Sequence, residues 1–139
     1  MIIPLGFSPY DRTSPVTDPW QPLFSRWSDL AFELGFVLSD QHCNARQMLH
    51  GGVIAALADN AMGLSLGRAW ISQTGEVQTP SIVTTNLNLD YFSTAKLKDW
   101  VCISPRVVHI GAKTGAVDAL ITADEKLIAR AHATFRILI

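Results

Sequence analysis

Alternating apolar and polar residues predict that most of this chain forms β-strands. In residues 31–38 the apolar side chains fall on every second position, at Phe32, Leu34, Phe36 and Leu38. Residues 24–27 precede this segment and are predicted to be its hairpin partner, joined through Ser28 and Asp29.

Beyond residue 80 the pattern predicts four more strands, at residues 83–91, 100–110, 115–123 and 129–137. In the first of these, one face is expected to carry Val83, Thr85, Leu87, Leu89 and Tyr91, and the other to carry Thr84 and its alternate neighbours. Pro105 indicates an edge or a bulge, because proline cannot donate a ladder hydrogen bond. Short turns at 96–99, 111–114 and 124–126 fit antiparallel hairpins.

A different pattern occupies residues 52–70, which are rich in alanine, leucine and methionine and favour a helix of roughly 25 Å. This helix is apolar nearly all round, so we expect it to be buried over most of its circumference. Strands grouped after a single helix predict an α+β fold in which an antiparallel sheet curls around that helix.

Prolines divide the chain into an N-terminal arm and a domain. Five of the seven prolines fall within residues 1–22, which argues against a regular helix or a central strand there. We therefore predict an extended arm over residues 1–22 and one compact domain over residues 23–139.

Composition narrows the classes of partner and the compartment. Eleven basic and twelve acidic residues leave a net charge of -1, without the basic footprint that nucleic acid or an anionic membrane surface requires. The first twenty residues do not form a signal-peptide pattern, and no apolar stretch approaches the ~20 residues of a membrane span. The two cysteines, Cys43 and Cys102, are not in CxxC spacing, so we expect a cytoplasmic protein without disulfides.

Candidate chemistry lies where the helix begins. Gly51 and Gly52 leave the backbone N–H groups of the first turn uncovered, and these groups have no intrahelical partners. Such a place binds an anion, or an oxygen that is becoming one. The alternative is an ordinary tight turn from loop to helix.

Asp59 lies within this otherwise apolar helix, where a buried carboxylate must be paired, hydrogen-bonded or shifted in pKa. Its i, i+4 row carries only small residues, at Ala55, Gly63 and Gly67, which lets backbone approach closely. The alternatives are a solvated aspartate on an exposed stripe and a small row that serves helix packing.

Helix geometry then predicts a dimer. Gly52 and Asp59 lie on one face but ~10 Å apart along the axis, whereas catalytic contacts are ~3 Å. Two copies paired about a two-fold axis with antiparallel helices would bring the glycines of one to the aspartate of the other. We therefore expect two shared sites per homodimer.

The spacing of Asn44, His50-Gly51-Gly52 and Asp59 resembles the signature of the PaaI-like acyl-CoA thioesterases of the hotdog fold, and the likeness extends over roughly residues 31–139. The resemblance implies a hotdog dimer whose sheet continues across the interface. In that family the aspartate matching Asp59 activates water or attacks the thioester, and the N–H matching Gly51 holds the thioester oxygen. It further implies that Asn44 places water or substrate and that Thr84 supports Asp59.

Further residues are candidates for binding the substrate. Arg68 and Lys113 are candidates to bind the phosphates of coenzyme A. Gly52, next to Gly51 at the start of the helix, is a further candidate to bind the substrate. Met48 and Met62 are candidates to line an acyl pocket, with core packing as the alternative. Coenzyme A is part of the substrate, and no separate cofactor is implied.

Other interpretations of the same residues stay open. His50 is either an acid or base or, as we favour, a residue that orients the loop. His42, Cys43 and His50 lack a further ligand at usual zinc spacing, so we expect no metal. A hotdog hydratase or dehydratase and a non-catalytic acyl-CoA-binding protein remain alternative functions. Acyl specificity and a dimer of dimers, which would be a homotetramer, also stay open.

Overall fold

The structure is a computed structural model that describes residues 3–28 and 31–139. Its helix, α1, spans Gly51–Thr74, and its strands, β1 to β7 in chain order, form one antiparallel sheet. The strands are Ser8–Pro9, Phe24–Trp27, Phe32–Val37, Ser81–Tyr91, Trp100–Ile110, Thr114–Ala123 and Lys126–Leu138. Across the sheet their order is β1-β2-β3-β5-β6-β7-β4. Asp29, in the expected turn between β2 and β3, lies outside the described residues.

The sheet curls around α1, which confirms the α+β arrangement predicted from the sequence. The inward faces of β3 and β7 carry the expected alternate apolar residues, all nearly inaccessible to solvent. Between residues 53 and 71 of the helix, Arg68 is the one exposed residue, so burial nearly all round is also confirmed. The helix is five residues longer than predicted, because it begins one residue earlier, at Gly51, and continues to Thr74, where Gly75 in the left-handed conformation (φ 77°) caps it.

The row of small residues on α1 serves close packing. A Cβ added at Gly67 would lie 3.2 Å from the Thr79 methyl group and 3.6 Å from Ile82, and one at Gly63 would lie 3.6 Å from Phe135. The row therefore faces the β4 and β7 side of the sheet, where a larger residue at position 67 would press on the chain leading into β4.

One predicted connection is wrong. The turn at residues 96–99 does not close a hairpin, because β4 pairs with β7 while β5 pairs with β3 and β6. The segment between β4 and β5 instead crosses from one edge of the sheet to its interior. Pro105 is compatible with its position, since the β3 pairing ends at Ile103 and leaves only β6 beside the proline.

The proline-rich arm, of which residues 3–22 are described, contains one two-residue strand and one 3₁₀ turn, and it packs against the rest of the chain. Ser8 and Pro9 pair with β2 at the edge of the sheet, and a 3₁₀ turn follows at Asp18–Trp20. Tyr10 is buried with its ring centroid 5.5 Å from that of Phe32. The arm thus shares the core with residues 23–139, and the division at residue 22 stays a prediction.

Within residues 3–28 and 31–139, no helix combines the length and the hydropathy of a membrane-spanning segment.

Candidate active site

Asp59 is held from the neighbouring sheet by Thr84. The Thr84 hydroxyl donates to Oδ1 of Asp59 at 2.6 Å. Asp59 itself is half-buried on α1. Within residues 3–28 and 31–139, no group donates a hydrogen bond to the other carboxylate oxygen, Oδ2. The carboxylate is therefore oriented through one oxygen and can accept a proton or attack through the other.

A β-bulge brings Thr84 to this position. Thr84 pairs with inward-facing Phe135, whereas Asn86 pairs with the next residue of β7, Thr134, so Thr85 is an extra residue on β4. The predicted alternation is therefore wrong for the start of this strand. Thr84 faces the helix together with Leu87, Leu89 and Tyr91, while the Thr85 hydroxyl donates to the Thr134 carbonyl at 3.0 Å.

The start of α1 offers one free donor. The Nδ1 atom of His50 accepts the Gly52 N–H at 2.8 Å, and the Val53 N–H donates to the His50 carbonyl at 3.1 Å. The Gly51 N–H donates to no acceptor in the part of the chain that the structure describes. It therefore lies at the positive end of the helix dipole with its hydrogen available to a ligand oxygen.

His50 is the N-cap of this helix, and its orienting role in the loop stays a prediction. Its own N–H donates to the carbonyl of His42 at 2.9 Å. His42 is fully buried, its Nδ1 accepts the Ser39 N–H, and its Nε2 donates to the Trp20 carbonyl at 2.9 Å. The N-terminal arm is thereby tied to the loop that precedes the helix.

Burial lowers the pKa of His42 below its ordinary value, so the neutral ring is favoured. With both ring nitrogens engaged, His42 has none left for a metal. Among the described residues, no group of three or more His, Cys, Asp and Glu side chains is arranged to hold a metal ion.

Tyr91 is a residue that the sequence reasoning did not identify. Its hydroxyl donates to the Gly51 carbonyl at 2.7 Å from the far end of β4. Burial raises the pKa of Tyr91, which keeps the hydroxyl protonated as a donor. The sequence feature that could have identified it is a tyrosine as the last residue on the apolar face of a strand. A tyrosine packed by its ring usually forms a hydrogen bond through its hydroxyl.

Asn44 shapes the loop before the helix. Its Oδ1 accepts the N–H groups of Arg46, at 2.9 Å, and Met48, at 3.2 Å, around a residue with positive φ, Gln47. Its amide NH₂ donates to no acceptor among the described residues and remains available to a ligand. Its role in placing water or substrate stays a prediction.

The predicted substrate-binding residues are dispersed. Met62 is fully buried in the core, so a ligand has no access to it in the protomer, and Met48 is half-buried. The Arg68 guanidinium lies 4.6 Å from the ring centroid of Trp27, about 13 Å along the helix from Asp59. Lys113 is exposed in the turn between β5 and β6, so within one protomer neither cation joins the helix start.

The structure therefore assembles two groups of predicted residues. Thr84 and Asp59 form one, and His50, Gly51 and Gly52 form the other at the start of the same helix. Eight residues separate Gly51 from Asp59, which corresponds to about 12 Å along the axis.

Comparisons with known proteins agree with this fold. Residues 47–129 match the family model described as the thioesterase superfamily. A Pseudomonas aeruginosa protein that bears the name "Putative esterase" is 32% identical over 139 residues, 99% of this chain and 98% of its own.

Solved structures extend the comparison. A Streptococcus mutans protein bound to acetyl CoA is 25% identical, with a TM-score of 0.69 over 80% of this chain and 83% of its own. The Escherichia coli PaaI protein from the phenylacetic acid degradation operon is 18% identical, with a TM-score of 0.72 over 84% of this chain and 80% of its own. These likenesses confirm the predicted PaaI-like hotdog fold.

Proposed function

Because this chain belongs to the thioesterase superfamily, we propose that it is an acyl-CoA thioesterase, which hydrolyses a thioester to a free acid and coenzyme A. The observation that carries the proposal is the Asp59 carboxylate, oriented by Thr84 through one oxygen and open at the other. The free Gly51 N–H at the start of the same helix supplies the second requirement, a donor for an oxyanion. The acetyl CoA bound to the Streptococcus mutans relative supports the substrate class.

The chemistry follows from these two groups. Asp59 takes a proton from water as the water oxygen adds to the thioester carbon, and the carbonyl electrons move onto oxygen. The Gly51 N–H and the helix dipole stabilise the resulting oxyanion. The intermediate then collapses, the C–S bond breaks, and the thiolate leaves and takes up a proton.

An alternative first step keeps the same residues. Asp59 attacks the thioester carbon directly and coenzyme A leaves as the thiolate. Water then hydrolyses the mixed anhydride by adding to the Asp59 carbonyl carbon, so the acyl group leaves with an oxygen from Asp59. The two routes differ in the source of one carboxylate oxygen. A single turnover in ¹⁸O-labelled water distinguishes them, because only the direct attack by Asp59 places an unlabelled protein oxygen in the product.

The site is proposed to be shared between two protomers. One thioester carbonyl cannot contact both Gly51 and Asp59 of one chain, because about 12 Å separates them and catalytic contacts are about 3 Å. The edge strand β4 has mostly exposed side chains, and no strand of the described residues pairs with its outer edge, which suits continuation of the sheet into a second copy. We expect a homodimer with two equivalent sites, which can pair further into a tetramer.

A thiol-release assay tests the function. Aryl-, short-chain and long-chain acyl-CoAs are offered to the wild type, to Asp59→Ala and to Asp118→Ala, a control aspartate on the exposed side of β6. We expect turnover with at least one class, its loss in Asp59→Ala, and its retention in Asp118→Ala. Acyl-CoA binding without turnover by the wild type would favour the non-catalytic alternative, and unchanged turnover by Asp59→Ala would reject the assignment of Asp59.

A further inference from the structure

Two side chains hold the peptide group that joins Gly51 to Gly52. The Tyr91 hydroxyl donates to its carbonyl at 2.7 Å, and Nδ1 of His50 accepts its N–H at 2.8 Å. The C=O and N–H of a trans peptide point in opposite directions, so this plane is held at both ends. Rotation that two consecutive glycines would otherwise permit is thereby restricted.

The preceding peptide group carries the free donor. Its carbonyl, that of His50, accepts the N–H groups of Val53 at 3.1 Å and Ile54 at 3.2 Å and so points into the helix. The Gly51 N–H consequently points the opposite way, out of the helix start. The two planes meet at the Gly51 α-carbon, so holding the second restricts the backbone rotation that would turn the first and its N–H.

The Tyr91 ring also occupies the space of a side chain at position 51. A Cβ added there would lie 3.2 to 3.3 Å from the ring and hydroxyl atoms. The ring packs against this glycine on one side, while the residue as a whole remains 51% exposed. The bulge at Thr85 puts Thr84 on the same face as Tyr91, since the two are an odd number of residues apart and would otherwise face opposite ways.

We propose that Tyr91 is a positioning residue whose hydroxyl aims the Gly51 N–H at the thioester oxygen. The proposal rests on the proposed thioester hydrolysis. It gives β4 two roles in the site, because the strand then orients the carboxylate through Thr84 and the oxyanion donor through Tyr91. Losing an interaction that stabilises the oxyanion more than the bound substrate should lower kcat and leave KM nearly unchanged.

The test compares two tyrosine-to-phenylalanine variants. Tyr91→Phe keeps the ring and loses the hydroxyl, and Tyr10→Phe is the matched control at the chain's other tyrosine. We expect kcat to fall about tenfold in Tyr91→Phe, with KM within about twofold of the wild type and Tyr10→Phe unchanged. In a spectrum of protein labelled with ¹⁵N at its nine glycines, the Gly52 amide nitrogen should shift in Tyr91→Phe, because it shares a peptide group with the Gly51 carbonyl.

The outcomes separate this proposal from the function on which it rests. Wild-type protein that releases no thiol would overturn the function and the role of Tyr91 together. An active wild type with full kcat in Tyr91→Phe would overturn the role of Tyr91 alone. A lower kcat without a change in the Gly52 signal would also overturn it, since the hydroxyl would then act elsewhere than on this peptide.

Discussion

Mixing two inactive variants should restore activity if the site is shared. Asp59→Ala removes the carboxylate, and Gly51→Pro removes the N–H proposed to hold the oxyanion. Gly51 is the first residue of α1, the helix position that tolerates proline best, although the exposed Tyr91 ring would have to move by a few tenths of an ångström. Each variant alone should release no more than a few per cent of the wild-type thiol, by the magnitude usual for such groups.

The magnitude of the recovery follows from the geometry. In a two-fold dimer, each site takes Gly51 from one protomer and Asp59 from the other. A mixed dimer then has one site with both groups intact and one site with neither. Random exchange at equal concentration makes half of the dimers mixed, so the expected activity is about a quarter of the wild type per total site.

The assay is thiol release after co-expression of the two variants, or after they are unfolded and refolded together. The control mixes Asp59→Ala with Asp59→Asn, which leaves no intact site in any arrangement and should stay inactive. Circular dichroism and sedimentation first establish that Gly51→Pro folds and associates. A mixture of well-folded, exchanging dimers that shows no recovery would refute the shared site and place the two groups in separate roles.

Three further predictions concern the site, the arm and the core. Thr84→Val should lower kcat about 5- to 30-fold, which corresponds to about 1–2 kcal/mol for one hydrogen bond to a half-exposed carboxylate. Thr85→Val loses a hydroxyl that bonds to β7 instead, and it should leave kcat unchanged. Denaturant titrations should show the free energy of unfolding falling as pH drops below about 6.5, the ordinary pKa of histidine, because the unfolded chain then binds a proton that folded His42 resists. This single group contributes at most about 1.4 kcal/mol per pH unit to the slope. Gly35→Ala should destabilise the protein by about 1–3 kcal/mol and alter tryptophan fluorescence, because the new Cβ would overlap the Trp100 ring.

Each of these predictions has a contrary result. Equal loss in Thr84→Ser and Thr84→Val would show that the hydroxyl is not what matters at position 84. An identical pH slope in His42→Asn would assign the titration to another histidine. Gly63→Ala is the matched control for Gly35→Ala, since its Cβ would meet Phe135 at an ordinary 3.6 Å, and equal destabilisation would remove the steric explanation.

Local patterns in the sequence predicted the elements of this fold well. The period-2 pattern of β3 and β7 and the alanine-rich composition of α1 are properties of neighbouring residues, so they can be interpreted without a partner. The order of the strands cannot, because it depends on contacts between distant segments. A short turn at residues 96–99 looks the same whether the next strand pairs beside β4 or crosses to the interior.

The candidate site divides in the same way. His50, Gly51 and Gly52 are consecutive, and the spacing to Asp59 is helical, so their relation follows from one element. The contact of Thr84 with Asp59 came from the family resemblance rather than from the alternation, which placed Thr84 on the wrong face. The bulge that corrects this is one ordinary threonine, Thr85, with no residue type to signal it.

The extra residue lies outside the regular ladder of β4, because Thr84 and Asn86 already pair with neighbouring residues of β7, Phe135 and Thr134. Deleting Thr85 would therefore leave residues 86–91 in register and Thr84 opposite Phe135, so the bulge would be lost while Thr84 still faced the helix. The pairing likewise does not require a particular side chain at position 85. A single residue can thus be lost inside this strand without exchanging its two faces, a tolerance that is more usual in surface loops.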